Sequence, residues 1–327
     1  MKRSSSVAVG LTVSLALAVA LGVGVGGAEV SVVDVFRALV GLESADRGIT
    51  VGLRLPRVIM ALLVGGGLAV SGAGFQSLLR NPLAEPYILG ISSGAALGAV
   101  AVITFGWVAA ASWGLPVVAF AGSIFALLLI FGFASASRAV MDVKVLLLAG
   151  VAVSAFFGSV IALMMTLAEG SAAQRALLWM MGSVANSSWN EVLIVATYTI
   201  PATLGLLGCA RALNLLAIGE ETAHHLGASV ERMKRIVLLL SALIAASGVA
   251  FVGIIGFVGL VMPHVVRMVV VADNRVLLPI VFLAGANFLV FADLLARTVI
   301  SPTELPIGVV TAVVGVPVFL ILLRRSG

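Results

Sequence analysis

Residues 58–78 read VIMALLVGGGLAVSGAGFQSL, without a charged side chain along the whole run. Hydrocarbon about 30 Å thick takes roughly 20 predominantly apolar residues of helix to cross, so this stretch alone can span a bilayer. Working outward, runs of the same kind recur at 7–28, 88–107, 115–134, 145–167, 192–210, 236–255, 260–272, 277–296 and 307–323, the eighth being short and interrupted by Pro263. The expectation is an all-α polytopic membrane protein with about ten transmembrane helices, folded as a single transmembrane domain over 1–327.

Composition agrees. Of 327 residues 61% are hydrophobic and 10% charged, whereas a soluble domain carries about 25% charged residues. A mean hydropathy of +1.24 leaves too little polar surface for a globular fold. Water-soluble enzymes and nucleic-acid binders are thereby excluded. The net charge of +5 gives no basic patch, because the 19 Lys and Arg are scattered between apolar blocks. Cys209 is the single cysteine, so the chain holds neither an internal disulfide nor a cysteine metal cluster. Met1, Lys2 and Arg3 precede an apolar run too long for a signal core, which reads as a retained first helix.

Ten spans place both termini on one side, and the positive-inside rule makes that side the cytoplasm. Thirteen of the 19 basic residues then lie in or beside the cytoplasm; Arg37, Arg47, Arg54, Arg57, Arg175 and Arg297 remain outside. An external set of arginines without lysine suits bidentate pairing with carboxylates. Docking of an acidic protein and plain interfacial anchoring both account for it.

Gly67-Leu68-Ala69-Val70-Ser71-Gly72-Ala73-Gly74-Phe75, followed by Pro82, echoes Gly248-Val249-Ala250-Phe251-Val252-Gly253-Ile254-Ile255-Gly256-Phe257, followed by Pro263. The copies fall on the second and seventh spans, which cross in opposite senses, the arrangement of an inverted repeat. Small-residue packing produces similar spacing by itself.

Pro82 and Pro86 break the chain after the second span, within Arg80-Asn81-Pro82-Leu83-Ala84-Glu85-Pro86-Tyr87. Unwound backbone at membrane depth needs protein or water against it, so this segment is expected at the cytoplasmic end of a pathway or subunit contact. Gly90-Ile91-Ser92-Ser93-Gly94 fits a nucleophile-elbow pattern, but Gly and Ser are common helix-packing residues here and no histidine is placed to serve as base. No catalytic residue is expected. Lys2, Lys144 and Lys234 all lack a preceding glycine-rich phosphate loop, so the chain is not its own ATPase.

The most polar internal stretch is 212–235. Within it Glu220, Ala223 and Leu226 recur at helical spacing, with Gly219 before them and Gly227 as a stop. A short amphipathic helix of this kind can enter a groove on another protein. Asp293 and Arg297 are helical neighbours near a span end and are expected to pair; an acid inside a span is otherwise the mark of an ion-coupled carrier.

These residues together resemble the permease family of binding-protein-dependent ABC importers for ferric siderophores, haem and cobalamin. The resemblance is carried by Leu53-Arg54-Leu55-Pro56-Arg57, Gly72, Gln76, the Arg80–Pro86 run, Gly90–Gly94, Gly219-Glu220 with Ala223 and Leu226-Gly227, Gly256 to Arg267, Asp293 to Arg297, and Glu304 to Thr311. It covers essentially the whole chain. It implies a type II ABC importer permease fold, a homodimer with the path at its interface, two ATPase subunits inside that bind ATP and Mg, and an external substrate-binding protein. No cofactor or metal would then belong to this chain. The site residues it implies are Arg54, Arg57 and Arg297 for binding-protein docking, Gly219, Glu220, Ala223, Leu226 and Gly227 for ATPase coupling, and Arg80, Asn81, Pro82 and Glu85 as a cytoplasmic-side motif. Gly158, Ser159, Leu163, Met164, Trp179, Met180 and Met181 are pore or gate candidates by family position. The implied location is a bacterial or archaeal cytoplasmic membrane. An ion-coupled carrier without an ATPase is the alternative function, and the choice among iron chelate, haem and cobalamin stays open.

Overall fold

The computed structural model describes residues 2–25, 47–106, 113–136, 143–225 and 229–326. Leu226, Gly227, Arg37 and Arg138 lie outside the described residues. The helices are α1 (Lys2–Gly24), α2 (Leu55–Leu79), α3 (Ile91–Phe105), α4 (Gly114–Ala136), α5 (Val143–Leu167), α6 (Gly170–Met180), α7 (Trp189–Gly208), α8 (Ala210–Ile218), α9 (Glu220–His225), α10 (Val230–Val252), α11 (Val258–Val269), α12 (Asn274–Thr298) and α13 (Ile307–Ser326). A π-helical turn, Gly48–Arg54, leads into α2, and a 3-10 turn, Pro86–Leu89, leads into α3. Among the described residues seven helices are long and apolar enough to cross a membrane, and three shorter apolar ones are Ile91–Phe105, Val258–Val269 and Ile307–Ile321. The chain is therefore an all-α, multi-pass membrane protein.

Local chemistry sets the boundaries. Pro56 opens α2, where its missing N–H costs nothing, and Arg80 closes it in the left-handed conformation at φ 49°. Ser188 caps α7 by accepting from the Glu191 N–H, while the Glu191 carboxylate accepts from the Ser188 N–H. This capping box starts the helix at Trp189, three residues before the hydropathy run. The stretch 212–235 proves less uniformly polar in three dimensions than in sequence. Its first part belongs to α8, whose Ala212 is buried and whose Leu213 and Leu216 join the main core, so the polar element begins only at Gly219.

Helix α2 is the axis of the bundle, and almost every side chain from Val58 to Leu79 is buried. Around it stand α12, α10, α11 and α7, while α3, α4, α5 and α6 form a second group joined to the first through α10 and α4. Water is absent from the hydrocarbon, so helices associate through close van der Waals contact. Here that contact is made backbone to backbone. A Cβ on Gly65 would lie 2.4 Å from the Gly285 carbonyl oxygen, and one on Gly285 would lie 2.3 Å from that of Gly65. A Cβ on Gly72 would lie 1.9 Å from the Gly259 oxygen. The same reciprocity joins α3 to α4 through Gly94 and Gly122.

The two echoing stretches take different local forms. Gly67 to Phe75 lies wholly inside α2, whereas its counterpart leaves α10 at Gly253, φ 72°, and ends at Phe257, φ 69°, which precedes α11.

Gly72→Ala is expected to lower stability by about 1–3 kcal/mol or more, the usual cost of overpacking, because the obstacle is backbone. Gly10→Ala, with open space around the new Cβ, is expected to stay within about 0.5 kcal/mol of the parent. Thermal unfolding of both variants in one detergent checks the contrast.

Candidate functional site

Two polar assemblies sit at opposite ends of α2, about 37 Å apart for its 25 residues. At the N-terminal end, Arg57 pairs with Asp293, Nη2 to Oδ1 at 2.8 Å, and with Glu304, Nη1 to Oε1 at 2.8 Å. Arg297 approaches the other Asp293 oxygen at 3.6 Å and donates to the Gly22 carbonyl. Arg54 donates to the carbonyls of Val23 and Gly24 at 3.0 and 2.8 Å. The last carbonyls of α1 have no partner within their own helix, and two guanidinium groups supply them, with favourable charge at a helix C-terminus.

The three arginines singled out from sequence are thus brought together, but not as free cations on a surface. Arg54 and Arg297 are 7% exposed and Asp293 1%. The expected Asp293–Arg297 pair is present with Arg57 as a second cationic partner, a connection invisible at a separation of 236 residues. Glu304, with its side chain 42% exposed, is the open edge of the cluster. Arg47 and Arg175 are exposed and outside this network.

At the other end, Gly219 at φ 142° separates α8 from α9, an orientation open to glycine. Glu220 opens α9, accepts from Lys234 Nζ and lies 3.9 Å from Arg80 Nη2. It therefore joins α9 to α10 and to the end of α2. Ala223 is the buried face of this short helix. Nearby, the Arg275 N–H and the Asn214 amide hold the Asp273 carboxyl below the usual aspartate range.

The residues of the Arg80–Pro86 motif turn to different partners. Arg80 faces α9, and Asn81 Oδ1 accepts the Leu83 N–H at 2.9 Å to set the turn at Pro82. Glu85 instead turns inward and accepts the Phe257 N–H at 3.1 Å, at the start of α11. Helix α11 has 12 residues, about 18 Å, and is the shortest of the apolar helices among the described residues.

The pore candidates separate as well. Gly158, Ser159 and Leu163 lie on the exposed face of α5. Met164, Trp179 and Met180 pack against a buried cluster of Ala96, Val100, Ile161 and Ala176. Met181 follows, and its carbonyl accepts the Gly308 N–H at 3.0 Å. Sequence reading missed α6, an eleven-residue helix that delivers Trp179 and Met180 to this place; the recurrence of Ala172 and Ala176 on one face was the available sign. Among the described residues no group of three His, Cys, Asp or Glu is placed to hold a metal ion.

A family model described as the FecCD transport family matches residues 14–325. The chain belongs to this family. It is 42% identical over 272 residues to the cobalamin import system permease protein BtuC of Halobacterium salinarum, covering 83% of this chain and 72% of that one. It is 41% identical over 297 residues to the hemin transport system permease protein HmuU of Yersinia pestis, covering 89% and 88%. A solved structure described as a metal-chelate type ABC transporter in an inward-facing conformation superposes with a TM-score of 0.87 at 32% identity, over 98% of this chain and 99% of that one. FecCD permeases are non-catalytic transmembrane components that work with separate ATPase subunits, and this chain is a permease subunit of an ABC-type importer.

Asp293→Ala is expected to cost about 3–5 kcal/mol, since it leaves the buried Arg297 guanidinium without a carboxylate and Arg57 with Glu304 alone. Glu304→Ala, at the exposed edge, is expected to cost about 1 kcal/mol or less. Unfolding midpoints of the two variants decide whether the cluster is built around Asp293.

Proposed function

We propose that the chain is one half of a homodimeric permease that carries a metal chelate of the iron-siderophore, haem or cobalamin class into the cytoplasm, driven by two ATPase subunits. The observation that carries this reading is the fold shared with a metal-chelate type ABC transporter over nearly the whole chain, together with a short polar helix, α9, at the end of the central helix. In this reading ten spans cross the membrane as two halves in inverted repeat, with both termini cytoplasmic. Support comes from the seven long and three shorter apolar helices and from the echo between the second and seventh spans.

The element 219–227, with Glu220, Ala223, Leu226 and Gly227, seats in a groove of the ATPase. Closure of the ATPase pair on ATP shifts α9, and through Glu220 the shift reaches α10 and the end of α2. Access to the path then alternates between the two sides. Gly158, Ser159 and Leu163 are exposed in the isolated chain and line the path between the two copies; Met164, Trp179, Met180 and Met181 stand at its outer closure. Flexible methionines give broad apolar contact without a tight site, which suits release of a large ligand. The external binding protein docks over Arg54, Arg57 and Arg297. Because these groups are already engaged, docking acidic side chains have to compete with Glu304 for Arg57. An ion-coupled carrier needs an acid free to load and unload, and Asp293 is held between two guanidinium groups.

Co-purification with the cognate ATPase tests the coupling element: Glu220→Arg is expected to reduce association about tenfold or more, the scale of a lost buried charge contact, and undiminished association overturns it. For docking, Glu304→Gln is expected to retain or strengthen binding of the loaded binding protein, while Arg57→Gln weakens it. Equal binding by both variants in surface plasmon resonance removes the docking role.

A further inference from the structure

Helix α11 is tied at both ends, and by different means. Near its C-terminus Arg267 donates to Gln76 Oε1 at 3.1 Å, to Ser77 Oγ at 3.2 Å and to the Ala73 carbonyl at 3.5 Å, all in the last turns of α2. Gln76 returns its own amide to the carbonyls of Leu260 and Gly259 at 3.1 and 3.4 Å. One buried glutamine thus grips the first and last turns of the same short helix. Apolar contacts let helices slide, whereas hydrogen bonds have preferred distances and directions and fix both register and rotation.

From this grip a polar relay runs toward the coupling segment. Ser77 Oγ donates to Asn274 Oδ1 at 3.5 Å. Asn274 donates its backbone N–H and its side-chain amide to Asn214 Oδ1 at 2.9 and 2.8 Å, and Asn214 donates to Asp273 Oδ1 at 2.7 Å. Asn214 belongs to α8, which ends at Gly219, immediately before α9. In the opposite direction, the turn preceding α11 lies against residues 179–183. Ser183 donates to the Val252 carbonyl at 2.8 Å, a Cβ on Gly253 would lie 2.2 Å from the Trp179 oxygen, and one on Gly182 would lie 2.6 Å from the Ile254 oxygen. Such contacts leave no slack.

We propose that Arg267 is a positioning residue that makes α11 a rigid connector, carrying displacement of the α8–α9 segment through Asn214, Asn274, Ser77 and Gln76 to the 179–183 segment at the outer closure. The inference rests on the reading of α9 as the ATPase-coupling element. Its consequence is that residues 179–183 respond to nucleotide on the far side of the membrane.

The test uses the complex with its ATPase in lipid, in a Cys209→Ser background with Ser183→Cys as the reporter. The rate of maleimide modification is compared between nucleotide-free and vanadate-trapped states. With Arg267 present the two rates are expected to differ about tenfold, the scale of an ordinary coupling between sites. Arg267→Met is expected to bring the rates together while vanadate trapping persists. Asn214→Ala breaks the relay at its half-exposed end, serves where Arg267→Met does not fold, and is expected to do the same. The double variant is expected to lose no more than either single one, as for residues in one pathway. Ser123→Ala, which removes a buried hydrogen bond to Ile91 elsewhere in the bundle, is expected to leave the difference intact. A preserved tenfold difference in Arg267→Met or in Asn214→Ala, or equal rates in the parent, overturns the proposal. Glu220→Arg separates the two readings: if it assembles and traps normally, the coupling role of α9 falls; if it blocks assembly while Arg267→Met keeps the difference, only the connector falls.

Discussion

The structure depends on the approach of α2 to its neighbours at backbone distance. In water a hydrophobic core would draw these helices together, but inside hydrocarbon that force is nearly absent, and shape has to replace it. Gly65 against Gly285 and Gly72 against Gly259 let carbonyl oxygens sit where side chains would otherwise stand. Once α2 is set in this way, the positions of α11 and α12 follow, and with them the residues that those helices present at either end.

Charge is concentrated where the apolar bundle ends. At one end Asp293 gathers Arg57 and Arg297; at the other Glu220 gathers Arg80 and Lys234. Each carboxylate binds elements distant in sequence, so each end is closed by a hub instead of a row of separate pairs. The hubs differ in burial. Asp293 is almost fully enclosed, which suits a fixed joint, while Glu220 is partly open, which suits contact with another subunit.

Much of this was legible in the sequence because a bilayer imposes so simple a rule on length and polarity. The apolar runs, the break at Pro82 and Pro86, and the Asp293–Arg297 pair all follow from local spacing. The start of α7 could have been taken from Ser188 and Glu191, but hydropathy hides a cap. Helix α6 escaped because it is too short to span and its apolar residues are small. What local reading could not supply was pairing across the chain. Nothing near Arg57 names Asp293, and nothing near Glu85 names Phe257; such partners are fixed by which helices touch. Hence Arg54, Arg57 and Arg297 looked like exposed cations in sequence and prove to be held within the fold.

Helix α1 stands at the periphery and exposes most of its surface. Its polar ties to the bundle include Arg54 on Val23 and Gly24, Arg297 on Gly22 and Asn287 on Leu11. These partners are synthesised at very different times. Arg54 follows its α1 partner by 30 residues, whereas Asn287 and Arg297 follow theirs by 276 and 275. Helix α1 is therefore fully seated only once α12 has been made, although Arg54 can clasp one of its ends much earlier.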